Sequence, residues 1–140
     1  QEKYILLDSF PTENEELNNY MLNHKESLLT RKIRKFNESN WFEWGALRNK
    51  ATIEANLNKK CIFVNNLTRK KKVAFIDKVQ YFGGSLLIMI PKKDDLIMLE
   101  KIVDYINSDE LKNFYTYSGR YKIGHKQLCN CIIPPTIIEN

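Results

Sequence analysis

The sequence has no long apolar run, few cysteines and no cluster of glycines. Its longest apolar stretch, Leu86–Ile90, is far short of the roughly 20 residues that cross a bilayer as a helix. The N-terminus also lacks the basic-then-apolar layout of a secretion signal. The chain therefore reads as soluble, with no membrane partner. Three cysteines, Cys61, Cys129 and Cys131, are an odd number in a chain long enough to build a core, which favours reduced thiols and a cytoplasmic location over a disulfide framework. Cys129-x-Cys131, Cys61, His24 and His125 match no zinc spacing, so no metal site is expected. Gly45, Gly83, Gly84, Gly119 and Gly124 form neither a phosphate-cradling loop nor a dinucleotide fingerprint. Nothing in the spacing pairs His125 with a nucleophile, and the scattered carboxylates Glu43, Glu54 and Asp77 stand in no catalytic pattern. The expectation is a chain with no catalytic residue and no cofactor of its own. With 140 residues, 43% of them hydrophobic, the length suits one domain spanning 1–140. The first residue is Gln1, which points to a piece of a longer protein.

What is present is basic charge, unevenly placed. Residues 1–30 carry two lysines against six carboxylates, residues 31–93 fifteen Lys and Arg against four, residues 94–118 two against six, and residues 119–140 three against one. The middle of the chain repels itself unless it meets a polyanion, and nucleic acid is the commonest one in a cytosol. A solvated basic face is the plainer alternative.

Helix and strand signals alternate. Thr12-Glu13-Asn14-Glu15 behind Pro11 has the form of a capping box. From there Leu17, Met21, His24 and Leu28, continued by Leu29, Ile33 and Phe36, predict one long helix ending near Phe36. Arg31, Lys32, Arg34 and Lys35 would then lie in its last turn, where cations suit the dipole. Cys61–Val64, Val73–Ile76 and Leu86–Ile90 predict strands, with turns at Asn65-Asn66 and Gly83-Gly84 and a stop at Pro91. Between the first two lies Arg69-Lys70-Lys71-Lys72, a hairpin tip able to reach a phosphate backbone or to protect a sheet edge. Asp94 or Asp95 caps a helix with Leu96, Leu99, Val103 and Ile106 on one face, and Ser108 caps another. Residues 117–135 read as a basic loop before the apolar Ile132-Ile133-Pro134-Pro135. The predicted fold is α+β: a small twisted, mainly antiparallel sheet with a long N-terminal helix and two C-terminal helices.

Both tryptophans lie in Trp41-Phe42-Glu43-Trp44-Gly45, ahead of Arg48, Asn49 and Lys50. Such rings can stack on bases, support a kinked duplex or pack as core. Arginine can bond guanine O6 and N7 together, and asparagine adenine N6 and N7.

Taken in order, His24-Lys25 with Leu28 or Leu29 and Arg31, then Asn40-Trp41-Phe42-Glu43-Trp44-Gly45, the hairpin strands, Ile106-Asn107-Ser108 and Ile133-Pro134 form a pattern. It resembles the C-terminal target-recognition (specificity) domain of TaqI-like adenine-specific DNA methyltransferases of restriction-modification systems, over nearly the whole chain. Recognition domains of type I restriction specificity subunits have a similar fold and share the late Asn-Ser and Ile-Pro signals. One departure is Ala46, where the family often places an arginine directly after the glycine; here Arg48 follows two residues on.

The resemblance implies a division of labour. A separate N-terminal catalytic domain of the parent protein would transfer methyl from S-adenosylmethionine to the amine of a flipped adenine, while this part binds double-stranded DNA. The catalytic half needs a glycine-rich cofactor loop and an Asn-Pro-Pro-aromatic element, and neither occurs here. Phosphate contacts would come from Arg31, Lys32, Arg34, Lys35, Arg69, Lys70, Lys71, Lys72, Lys92, Lys93, Lys122 and Lys126, grouped on one side. Base edges would be read by Arg48, Asn49, Arg120 and His125. The alternatives are a type I specificity subunit or a non-enzymatic RNA-binding module.

Overall fold

Asn14, not Thr12, starts the first helix in the computed structural model, which describes residues 4–45 and 49–138. Its side-chain oxygen accepts from the Leu17 amide at 3.0 Å and caps α1 (Glu15–Asn23). Thr12 is instead tied to Asn18, whose Oδ1 accepts from both the Thr12 amide and hydroxyl at 2.8 Å. The long helix predicted to Phe36 is broken. The chain leaves helical geometry at His24 (φ −106°, ψ 2°), forms α2 (Lys25–Leu29) and leaves the helix at Thr30. The physical reason lies at Arg31, whose Nε donates to the Leu28 carbonyl at 2.8 Å and so satisfies a group that a continuing helix would have bonded. Ile33, read as part of the apolar stripe, is 63% exposed in the loop that follows.

That loop is organised by aromatic packing. Trp41 is 3% exposed, with Phe10 edge-on to it at 4.8 Å and stacked on Phe42 at 5.8 Å. Trp44 meets Tyr4 edge-on at 5.3 Å. The tryptophans thus serve as local core, which is what large rings of low side-chain entropy do best.

The chain divides into two units, Gln1–Lys50 and Ala51–Asn140. α3 (Lys50–Ala55) leads into β1 (Lys60–Asn65), which is flanked by β3 (Ala74–Lys78) and β4 (Leu86–Met89) in an antiparallel sheet of order β3-β1-β4, while β2 (Leu67–Thr68) belongs elsewhere. Cys61, Ile62, Phe63 and Val64 of the central strand are all buried. Ile62 and Val64 pack on the side of α4 (Leu96–Asn107), and Cys61 and Phe63 on the side of Ile53 and Val79. A strand covered on both faces reads as an unbroken apolar run, which is how the sequence presents it.

Asp95 caps α4 through the Met98 amide at 3.0 Å. Its buried face is Leu99, Ile102, Val103 and Ile106, with Leu96 exposed. At its end Asn107 accepts from the Val73 and Ala74 amides at 2.7 and 3.0 Å and donates to the Ala74 carbonyl at 2.8 Å, joining helix to strand. Ser108 closes α4 by donating to the Tyr105 carbonyl and opens α5 (Asp109–Phe114) by accepting from Leu111.

The segment read as a basic loop is structured. β5 (Thr116–Tyr117) and β6 (Arg120–Lys122) form a hairpin, and β2 completes a second antiparallel sheet of order β2-β6-β5. The turn holds Ser118 at φ 50° and Gly119 at φ 74°, the left-handed pair of a tight hairpin. α6 (His125–Cys129) and α7 (Pro135–Ile138) follow. The architecture is α+β, as expected, with two small antiparallel sheets in place of one. Among the described residues no helix is long and apolar enough to cross a membrane.

Candidate nucleic-acid interface

The second sheet brings together cations that lie about fifty residues apart in sequence. Leu67 pairs with Lys122 and Thr68 with Tyr121. One step further along that register, Arg69 comes opposite Arg120. The position of Arg69 is fixed independently, since its Nη1 lies 3.9 Å from where a Cβ on Gly119 would stand. Along β6, Arg120 and Lys122 are exposed and the intervening Tyr121 is buried, so both cations leave the same face. Lys70, Lys71 and Lys72 continue the tip and are exposed. Among the described residues none of these six side chains has a hydrogen-bond or ion-pair partner. Like charges set side by side across strands are destabilising, typically by a few tenths of a kcal/mol to about 1 kcal/mol, and an anion laid over them removes that cost. Beneath the tip is a depression of about 200 Å³ lined by Thr68, Arg69, Lys70, Lys71, Thr116 and Gly119, with Asp109 and Lys112 at its edge. Lys112 is held there by donating to the Lys71 carbonyl at 2.8 Å.

The remaining cations of this unit do not join that group. Lys60 faces Lys78 across β1 and β3, while Val64 faces Ala74, next to the basic tip. Lys92 and Lys93 follow β4, whose Met89 pairs with Ile62, so they stand at the Lys60 end of the sheet. β1 makes the two ends about 17 Å apart. Antiparallel register thus sends the two connections, and their cations, to opposite ends of the sheet. His125 and Lys126 are exposed on α6, with the His125 ring 3.9 Å from the Cys129 sulfur.

In the first unit the cations are used differently. Arg31 Nη2 donates to the carbonyls of Trp41 at 2.8 Å and Glu43 at 3.0 Å, and its guanidinium covers Phe36 at 3.9 Å. Burial and the neighbouring Arg34 push its pKa down from the ordinary arginine value. Arg34 bonds the Glu43 carboxylate at 2.6 Å and the Trp44 carbonyl at 3.2 Å. Lys25 pairs with Glu38 at 2.5 Å and lies 5.4 Å over the Trp41 ring. The His-Lys, Arg and Trp-Phe-Glu-Trp-Gly elements are thus partners of one another. The Lys32 and Lys35 side chains are exposed and have no hydrogen-bond or ion-pair partner among the described residues. Asn49 is exposed with a left-handed φ of 62°, a conformation asparagine tolerates. Arg48 lies outside the described residues.

Among the described residues no three potential metal ligands cluster. Cys61 is fully buried, and burial followed by the charge of Asp77 pushes its thiol up to about 11, away from nucleophilic use. Tyr115, bonded to Cys131 at 3.6 Å and partly buried, is pushed up to about 12. The buried Tyr121 hydroxyl has no partner among the described residues, and desolvation raises its pKa. The signal that sequence reasoning missed is Ser118-Gly119 between Tyr117 and Arg120, a turn dipeptide between strand formers that would have located the hairpin.

No family model and no solved structure matches the chain. Among curated proteins, the type II methyltransferase M.MjaIV of Methanocaldococcus jannaschii is 30% identical over 146 aligned positions, covering 94% of this chain. The chain spans about half (48%) of that protein's length. The chain is thus similar to part of a methyltransferase.

Proposed function

We propose that this chain is the DNA-recognition part, residues 1–140, of a larger site-specific adenine-N6 DNA methyltransferase. It holds duplex DNA while a separate domain of the same protein transfers methyl from S-adenosylmethionine to a flipped adenine. The observation that carries this reading is the face on which Arg69, Arg120 and Lys122 converge without internal partners, extended by Lys70, Lys71 and Lys72. The similarity to M.MjaIV and the order of the family motifs support the methyltransferase context. The residues here fit neither the methyl donor, which needs a glycine-rich loop, nor the target amine. The only Pro-Pro pair follows Ile133, an apolar side chain packed on the core, where the chemistry requires a side-chain amide. The cofactor belongs to the separate domain.

Within this reading Lys32, Lys35, Arg69 to Lys72, Lys92, Lys93, Lys122 and Lys126 contact phosphates. Base edges are read by Arg48, Asn49, Arg120 and His125. Arg31 and Arg34 act through the loop they hold, since their strongest hydrogen bonds are internal. The test is a titration of a fluorescent duplex with the chain at rising salt. If six or more cations meet phosphates, affinity falls about a thousandfold or more between 50 and 200 mM. A flat response, or preference for structured RNA over duplex DNA in competition, overturns it.

A further inference from the structure

The first unit contains a half-open pocket of about 470 Å³, outside the basic tip. Its walls are mostly apolar and aromatic, including Tyr20, Ile33, Phe42 and Trp44; the polar members are His24, Arg31 and Glu43, whose carboxylate is already taken by Arg34 and whose carbonyl is taken by Arg31. That volume lies within the roughly 300–1,000 Å³ of small-ligand sites, and the composition, apolar walls with few polar groups, is theirs as well.

The polar members are set for recognition. The nearest acceptor to His24 Nδ1 is the Tyr20 carbonyl at 2.8 Å, which can only accept, so in the neutral ring Nδ1 carries the hydrogen and Nε2 is left as an acceptor. Arg31 uses Nε and Nη2 on three carbonyls, while Nη1 has no acceptor among the described residues. Nη1 faces the pocket floor, 3.4 Å from where a Cβ on Gly45 would stand, and that Cβ would lie 3.0 Å from Ile33 Cδ1. Glycine at 45 therefore keeps the floor open. Tyr20, 52% exposed, lies against His24 with ring centroids 4.5 Å apart and planes tilted by 35°, and forms an aromatic flank of the pocket. Lys32 and Lys35 are exposed on either side of Ile33 along the same segment.

We propose that this pocket receives one nucleobase unstacked from the nucleic acid, its faces against the aromatic walls and its edge toward Arg31 Nη1 and His24 Nε2. The proposal rests on the nucleic-acid reading above. An apolar side chain would fill the walls but leave that donor and acceptor unanswered. A planar heterocycle with a hydrogen-bonding edge answers both, and the neighbouring lysines suit its phosphate.

The test compares a fully paired duplex with the same duplex carrying one bulged 2-aminopurine, by anisotropy and by 2-aminopurine fluorescence. The expected result is tighter binding of the bulged duplex by about five- to a hundredfold, with quenched fluorescence as the base stacks. Tyr20→Ala removes an exposed wall and should abolish most of this preference while leaving paired-duplex affinity and its salt slope unchanged. Gly45→Ala should do the same by filling the floor, and thermal melts of both variants confirm that they fold. Equal binding of the two duplexes, with unquenched fluorescence and a steep salt slope, overturns the pocket proposal and leaves the DNA-recognition reading standing. Binding of the apolar dye 1-anilinonaphthalene-8-sulfonate without discrimination between the duplexes marks a protein-docking groove and also overturns it. Failure to bind either duplex at low salt overturns both.

Discussion

The two units of this chain use positive charge in opposite ways. In residues 1–50, Arg31 and Arg34 turn inward: four backbone carbonyls and one carboxylate accept from them, and both lie over the Phe36 ring. In residues 51–140, Arg69 to Lys72, Arg120 and Lys122 turn outward with no partner among the described residues, and the internal bonding is done by a neutral amide, Asn107. The local density of Lys and Arg is similar in the two places, so density does not measure affinity for an anion. What matters is whether each cation has an internal acceptor in reach. Arginine's planar fork suits it to bridging carbonyls, which is why the inward role falls to Arg31 and not to its lysine neighbours.

The sharpest way to break this contrast is to reverse the outward charges. The triple variant Arg69→Glu, Lys70→Glu, Lys71→Glu should lower duplex affinity about a thousandfold at 50 mM salt and make the salt slope shallower by about three, with no change in thermal midpoint. An unchanged slope in anisotropy titrations would show that the tip is not a phosphate contact.

The inward charges should behave in the converse manner. Arg31→Ala is expected to cost the first unit about 3 kcal/mol, because three bonds from a charged donor are lost together. Urea unfolding followed by tryptophan emission reads that unit directly, since both tryptophans lie in it. Arg31→Lys should recover little, a single ammonium being unable to span Leu28, Trp41 and Glu43. Full rescue by lysine would mean that charge alone suffices and that the fork geometry is unimportant.

A smaller effect is expected at the neutral counterpart. Asn107→Ala strands the amides of Val73 and Ala74, both buried, and should cost about 2 kcal/mol. Hydrogen exchange should then rise first at Val73 and Ala74, and if protection there is unchanged, Asn107 is not what joins α4 to β3.

The smallest effect concerns a group outside both patterns. The Cys61 thiol, raised to about 11 from an ordinary value of 9.0, is more protonated in the folded chain than in the unfolded one at alkaline pH. Its contribution to stability is therefore complete below about pH 9 and is lost as pH rises through 11. Urea midpoints should fall over that window more in the wild type than in Cys61→Ala. At pH 8 a thiol reagent should label the exposed Cys129 quickly and Cys61 only on unfolding.

These contrasts also mark where sequence is legible. The strands of the first sheet announce themselves because Cys61–Val64 is covered on both faces, and α4 because Leu99, Val103 and Ile106 repeat at helical spacing. The break at His24 is hidden, since Leu28, Leu29, Ile33 and Phe36 keep helical spacing by coincidence while belonging to a helix and a loop. Arg31 ends the second helix by bonding the Leu28 carbonyl while reaching carbonyls ten and twelve residues away, and no local pattern encodes that reach. The second sheet escapes for another reason: its strands are two or three residues long, too short for alternation to register. The basic tip was legible as charge, but its convergence with Arg120 and Lys122 depends on that unread pairing. The motifs behind the family resemblance turn out to be mutual supports: Lys25 and Arg31 hold the tryptophan loop, and Asn107 and Ser108 set the corner between helices and sheet.

Because Asn107 clamps the chain at Val73 and Ala74, and β2 is fastened at Thr68 by Tyr121, the stretch from 69 to 72 is moored at both ends, and between them only its backbone is held, by Thr68 at the Lys70 amide and Lys112 at the Lys71 carbonyl. The side chains of such a segment are interchangeable, since none of them is used to hold what lies beneath. A scaffold of this kind lets surface charge be retuned at four positions.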